Sequence, residues 1–214
     1  MEIKGAIFDM DGTLLDSMDY WATVAEEYLK KNGIYAESDT NREFLEKGMK
    51  SWAIGINEKF GFDKSFDDVR CGIYEIMGEK YDTVVNVKDG AREMLEELYE
   101  RGVKMCLATA TDREQVEAIL KRLGIEKYFS RIFTTSEVGV GKSSPRIYEI
   151  ALEYLGTPKD ETYVFEDAYY ALKTAYENGF RTVGVYDKNV FVSEDEIRAL
   201  SHYYIDKNNK YKLF

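Results

Sequence analysis

The segment Ala6-Ile7-Phe8-Asp9-Met10-Asp11-Gly12-Thr13-Leu14-Leu15-Asp16-Ser17 constrains this chain more than any other. An apolar run there ends abruptly in two carboxylates at positions i and i+2 and then in a glycine. Ile3 to Phe8 is short and β-prone, and the Asp-Gly step beyond it is turn chemistry. The reading is a strand with both acids at its C-terminal end. In open α/β sheets that edge is where ligands bind, because the loops there surround a crevice between elements.

The strand's partners come late. Tyr20, Trp21, Val24, Ala25, Tyr28 and Leu29 follow the 3.6-residue period, so one helix is expected from a Ser17 cap to Lys31, stopped at Gly33. Further helices are expected at about Asn41–Lys47, Lys50–Phe60 and Phe66–Tyr81, interrupted by Gly48 and by Gly61-Phe62-Asp63. A helical block between strand-rich regions reads as an insert, since the first strand has no sheet partner until the chain returns. The insert is placed at residues 16–85, leaving 1–15 and 86–214 as the sheet domain. From Asp89 helices and strands alternate. A helix carries Ala91, Met94, Leu95 and Leu98, followed by strand Val103–Ala108, helix Arg113–Leu123 and strand Arg131–Phe133. Then come helix Pro145–Leu155, strand Thr162–Phe165, helix Ala168–Asn178, strand Thr182–Val185, helix Ser193–Leu200 and edge strand Tyr203–Ile205. The predicted fold is α/β: a Rossmann-like parallel sheet with helices on both faces and an inserted helical bundle.

Composition narrows the partners. With 44% hydrophobic and 32% charged residues the chain belongs to the globular class. Its formal charge of -11 argues against duplex nucleic acid or a phosphoinositide-rich membrane as partner, since both need clustered Lys and Arg. Any bound anion has to be received locally, by a metal or a few basic side chains. The first apolar segment is too short for a signal peptide or a membrane span. The expectation is a cytoplasmic monomer or weak dimer acting on a small molecule. Cys71 and Cys106 show no ligand spacing and are expected as buried thiols. His202 is the single histidine, which leaves no basis for a multi-histidine metal site. Most of the tyrosines, Tyr148, Tyr154 and Tyr163 among them, are expected on packing faces.

The chemistry-bearing residues fall at strand ends. Thr109 follows the Val103–Ala108 strand, Lys142 follows Arg131–Phe133 and its loop, and Glu166-Asp167 follow Thr162–Phe165. All are expected at the edge that carries Asp9 and Asp11. Four carboxylates in one crevice repel by about 4 kcal/mol per close pair at an effective dielectric near 20. Positive charge is therefore required, and oxygen ligands without histidine or thiolate favour Mg²⁺.

DMDGTLLDS resembles the first motif of the haloacid-dehalogenase-like superfamily of phosphohydrolases. LATAT around Thr109, Gly141-Lys142-Ser143-Ser144-Pro145 and Glu166-Asp167 resemble its later motifs in order. Ser143 and Arg146 depart from the family's usual proline and acid, and Ala168 and Ala171 from its Ser and Gly. The resemblance implies Asp9 as the nucleophile that becomes an aspartyl-phosphate and Asp11 as acid and base. It implies Thr109 and Lys142 as phosphoryl contacts, with backbone N–H groups after Asp9 and that of Ala110 at the next helix start completing the cradle. Mg²⁺ is implied on Asp9, the Asp11 carbonyl, Asp167 and Glu166. The insert resembles a cap that closes over such a site, with Arg42, Lys47, Lys50 and Trp52 as candidates for a distal substrate group. The implied function is a Mg²⁺-dependent phosphatase acting on a small phosphorylated metabolite. Asp11 argues against dehalogenation, and a receiver module would carry its phosphorylated Asp on a later strand. The full set of motif residues argues against a scaffold that binds phosphate without turnover. The insert also resembles that of β-phosphoglucomutases. Those relatives place a histidine where Trp21 stands here, which favours hydrolysis over phosphoryl return.

Overall fold

The structure, a computed structural model, describes residues 2–36, 39–190, 192–208 and 211, without the side chains of residues 46 and 47. The Lys47 side chain and much of the polar tail thus lie outside the described residues. The chain forms two compact units, residues 1–16 with 86–214, and residues 17–85.

Strand β1 (Gly5–Phe8) opens the first unit. Helices α1 (Met18–Trp21), α2 (Val24–Lys31), α3 (Thr40–Phe60) and α4 (Phe66–Thr83) make up the second. The chain then returns through α5 (Ala91–Glu100), β2 (Lys104–Thr109), α6 (Arg113–Leu123), β3 (Arg131–Thr134) and α7 (Thr135–Val138). It ends with α8 (Arg146–Leu155), β4 (Thr162–Glu166), α9 (Tyr169–Glu177), β5 (Arg181–Val185), α10 (Glu194–Ala199) and β6 (Tyr203–Ile205).

The sheet is six-stranded with order β3-β2-β1-β4-β5-β6, and each neighbouring pair is parallel. Parallel strands need both faces covered. Ile7, Cys106, Ala108 and Val164 on one face pack with Ile147, Tyr148, Ala151 and Leu155 of α8. On the other face Ala6, Phe8, Met105, Leu107, Tyr163 and Phe165 are buried too, with Phe8 stacked on Phe165 at 4.2 Å between centroids. The segment after β1 is stitched to the returning chain. The Asp16 N–H donates to the Asn86 carbonyl at 2.9 Å, the Lys88 N–H to the Leu14 carbonyl at 2.8 Å, and Leu15 bridges antiparallel to Val87.

In the helical unit, Val24, Tyr28, Leu29, Phe44, Trp52, Ile56, Ile73, Met77 and Tyr81 are among the buried residues. Gly72 lets α4 approach α2, since a Cβ there would lie 2.4 Å from the Tyr28 ring. The kink in α3 is at Gly48, whose φ of 76° is open to glycine at little cost.

Four expectations need correction here. The helix expected from Ser17 to Lys31 is two helices: the Thr23 hydroxyl bonds back to the Asp19 and Tyr20 carbonyls at 3.2 Å, competing with the ladder where α1 ends. Trp52 is 2% exposed, packs edge-on against Phe44 and donates its indole N–H to Thr40 Oγ1 at 3.3 Å, so it is a core residue rather than a substrate contact. Cys71 is exposed, because it lies off the stripe of α4 formed by Val69, Ile73, Ile76 and Met77. Tyr154 is 43% exposed, its ring against Phe133 and its hydroxyl donating to the Ser130 carbonyl. Among the described residues no helix is long and apolar enough to cross a membrane.

Candidate active site and cation cluster

Register sets the site. Phe8 lies opposite Phe165, so Asp9 and Glu166 leave the sheet as neighbours, and the Asp9 N–H donates to the Phe165 carbonyl at 2.9 Å. Asp9, Glu166 and Asp167 each present a carboxylate oxygen, all within 4.8 Å of one another, at 7%, 1% and 2% exposure. The Lys142 ammonium touches Asp9 Oδ1 and lies 2.8 Å from Glu166 Oε2. Its loop departs from the family pattern, yet the lysine reaches both acids, and Pro145 still stands at the N-cap of α8.

Hydroxyl groups hold the remaining carboxylates. Thr13 Oγ1 donates to Asp167 Oδ1 at 2.8 Å, and Thr111 Oγ1 donates to Asp11 Oδ2 at 2.8 Å. The Thr111 N–H donates to Thr109 Oγ1 at 3.1 Å, which leaves the Thr109 hydroxyl hydrogen to donate elsewhere. Tyr148 lends its hydroxyl to Glu166 Oε2 at 3.3 Å. Behind the Asp-Gly turn, the Lys88 ammonium donates to the Gly12 carbonyl, to the Tyr186 carbonyl at 2.9 Å and to Asp187 Oδ2 at 2.9 Å. The Tyr211 hydroxyl donates to the Thr13 carbonyl.

The electrostatics describe a cluster short of positive charge. Burial, with Glu166 adding to it and Lys142 opposing, lifts Asp9 well above the usual carboxylate range. Asp167 is pushed up to about 7 by burial and then by Glu166, against Lys88 and the Thr13 hydrogen bond. Burial works against charge on Lys142, but the carboxylates of Asp9 and Glu166 outweigh it and hold the ammonium well above its ordinary value. Fully ionised, three carboxylates and one ammonium leave two negative charges. Buried oxygen donors with that residual charge fit a hard divalent cation.

Asp9, Lys142, Glu166 and Asp167 are thus brought together, and Asp11 and Thr109 are joined through Thr111. Ala110 lies exposed in the β2–α6 turn, three residues before α6, rather than at a helix start. Lys50 is exposed on α3, and Trp21 is half-buried in the helical unit, stacked on Phe44. His202 Nδ1 meets Thr182 Oγ1 at 2.9 Å near the start of β5, the end of the strand remote from the acids. Sequence reasoning missed Thr13, Thr111, Lys88, Asp187 and the polar role of Tyr148. Asp187 was findable, because it follows β5 as Asp167 follows β4. A buried tyrosine hydroxyl likewise calls for a partner.

Comparison with known proteins gives consistent findings. The family described as haloacid dehalogenase-like hydrolase matches residues 6–185. A phosphorylated carbohydrates phosphatase from Thermotoga maritima is 28% identical over 185 residues, covering 85% of this chain and 84% of that protein. Among solved structures, a putative β-phosphoglucomutase from Thermotoga maritima superposes with a TM-score of 0.77 at 24% identity, covering 98% of this chain and 96% of the other. CbbY from Rhodobacter sphaeroides in complex with phosphate does so with a TM-score of 0.79 at 21% identity, covering 95% and 94%.

Proposed function

The chain belongs to the haloacid dehalogenase-like hydrolase family, and on that premise we propose that it is a Mg²⁺-dependent phosphatase hydrolysing a small phosphorylated metabolite through an aspartyl-phosphate on Asp9. The observation that carries this reading is Asp9 itself. It is a strand-end carboxylate in contact with Lys142, grouped with Glu166 and Asp167, two residues before a second aspartate.

In the first step an Asp9 carboxylate oxygen bonds to phosphorus while the ester P–O bond breaks, and Asp11 gives its proton to the departing alkoxide. In the second, Asp11 takes a proton from water, the water oxygen bonds to phosphorus, and the Asp9–phosphorus bond breaks to release inorganic phosphate. Lys142 balances negative charge on Asp9 and the phosphoryl oxygens, and the Thr109 hydroxyl donates to one of those oxygens. Thr111 orients both Asp11 and Thr109 through its two hydrogen bonds. An Asp9 oxygen, the Asp11 main-chain carbonyl, Glu166 and Asp167 would hold Mg²⁺, which when bound supplies positive charge to the transferring phosphoryl group.

The phosphorylated carbohydrates phosphatase among the relatives supports a sugar-phosphate-sized substrate. Residues 17–85 serve as the cap domain in this reading, with Lys50 and Arg42 offered to the substrate's distal group. The activity is assigned to a cytoplasmic monomer or weak dimer. The mutase alternative is disfavoured by Trp21, whose single N–H is engaged by the Tyr81 hydroxyl at 3.2 Å and which has no acceptor nitrogen. The test is steady-state hydrolysis of p-nitrophenyl phosphate with Mg²⁺ and with chelator. Metal-dependent turnover that disappears in Asp9→Asn, with an unchanged circular dichroism spectrum, is the expected result. Turnover in Asp9→Asn near the parent level refutes the assignment.

A further inference from the structure

Lys88 stands outside the catalytic set, and its ammonium is tied to the turn that carries Asp9 and Asp11. Its three donors are all used, on the carbonyls of Gly12 and Tyr186 and on Asp187 Oδ2. The two side chains are 13% and 5% exposed, so the pair is poorly screened. Gly12 adjoins Thr13, whose hydroxyl holds Asp167, so Lys88 is linked to a carboxylate of the cation cluster through two hydrogen bonds and the Gly12–Thr13 peptide. Asp187 adds a further carboxylate to the surroundings of Asp9, Glu166 and Asp167, and Lys88 adds a second ammonium to Lys142. With Lys88 present, the charge of Asp187 is balanced beside the site. Without it a further negative charge stands beside the site.

We propose that the Lys88–Asp187 pair sets the affinity of the cation site from outside the ligand set, Lys88 weakening it and Asp187 strengthening it, while Lys88 pins the Gly12 carbonyl of the nucleophile turn. The inference rests on the reading of Asp9, Glu166 and Asp167 as a Mg²⁺ site. Lys88 is a positioning residue and touches neither substrate nor cation. Two effects of opposite sign follow on its removal. The turn loses its tie, which lowers kcat, and the site gains net negative charge, which tightens cation binding. A residue that merely supports the fold would loosen both.

The experiment measures Mg²⁺ binding by titration calorimetry on the intact protein, without substrate, for the parent, Lys88→Met, Asp187→Asn and the double variant. A charge change close to a divalent site is expected to shift Kd about three- to tenfold. Lys88→Met should bind Mg²⁺ more tightly by that factor, Asp187→Asn more weakly, and the double variant near the parent. Asp187→Asn keeps the shape and an oxygen acceptor for Lys88, so it reports even where Lys88→Met folds poorly. Unchanged or tighter binding in Asp187→Asn, or unchanged or weaker binding in folded Lys88→Met, overturns the proposal. A parent that binds no Mg²⁺ removes the metal reading and this inference with it. A parent that binds Mg²⁺ normally but hydrolyses no phosphate ester would sink the phosphatase assignment alone.

Discussion

Replacing Lys142 by methionine removes the ammonium from between two acids while keeping most of the side chain's volume. The group is 4% exposed and contacts Asp9 directly and Glu166 at 2.8 Å, so its loss leaves two buried carboxylates facing each other. Breaking a buried pair by deleting one partner costs about 3–5 kcal/mol. For a chain of this size that corresponds to a fall in Tm of roughly 6–20 °C. The deficit should depend on pH with a definite sign. Burial and Glu166 already raise Asp9, and Lys142 is what opposes them, so the variant's folded state holds a proton more firmly than its unfolded state. Stability is then lost as pH rises above the ordinary carboxylate value near 4. The parent–variant gap should be small at pH 5 and large at pH 8, and Mg²⁺ should narrow it by supplying charge to the same acids. Thermal melts followed by circular dichroism in chelator, at both pH values, read this directly. A gap of less than about 1 kcal/mol at pH 8, or an equal gap at both pH values, would show that Lys142 is not the counter-charge of Asp9 and Glu166.

Mg²⁺ at 100 times its Kd should stabilise the parent by about 2.7 kcal/mol, a rise of roughly 5–11 °C in Tm, and Asp167→Asn should remove most of that rise. A calorimetric melt that is the same with Mg²⁺ and with chelator contradicts it. Because Asp167 is raised to about 7, the chelated parent should lose stability between about pH 4 and 7 as the group ionises, a trend that added Mg²⁺ should blunt. β-Glucose 1-phosphate supplied with catalytic glucose 1,6-bisphosphate should yield inorganic phosphate rather than glucose 6-phosphate. Efficient glucose 6-phosphate formation, read by a coupled dehydrogenase assay, would favour the mutase. Gly72→Ala places a methyl 2.4 Å from the Tyr28 ring and should destabilise the helical unit by about 1–3 kcal/mol in urea melts. A neutral result would mean that α2 and α4 move apart freely.

What could be read from the sequence was local. The change from period 3.6 to short apolar runs marked the strands, and Arg113–Leu123 with its Gly124 cap was visible as a bounded helix. Glycine at position 48 announced the break in α3. The acids could be placed at one edge because each follows an apolar run, and topology then gathers them. The hydroxyl and ammonium partners follow no such pattern. Thr13 and Asp167 are 154 residues apart, and Lys88 and Asp187 are 99 apart, so nothing in a local window couples them. Side-chain competition with the backbone is equally silent: Thr23 carries no periodic signal, yet its hydroxyl is engaged where α1 ends and α2 begins. Trp52 was misread because an aromatic beside lysines looks alike on a solvent face and at the margin of a core, and only packing against Phe44 and Tyr28 separates the two.

The pairing of Asp16 with Asn86 and of Leu15 with Val87 bears on how such a chain diversifies. The outgoing and returning segments are fastened to each other inside the sheet unit, so the sheet registers the intervening residues as a loop already closed at its base. Closure entropy grows only with the logarithm of loop length. Insertions, deletions or wholesale replacement between those two points therefore change the cost of folding the sheet very little. The nucleophile turn, tied to the same base through the Leu14 carbonyl and Lys88, keeps its geometry while the inserted sequence is free to vary.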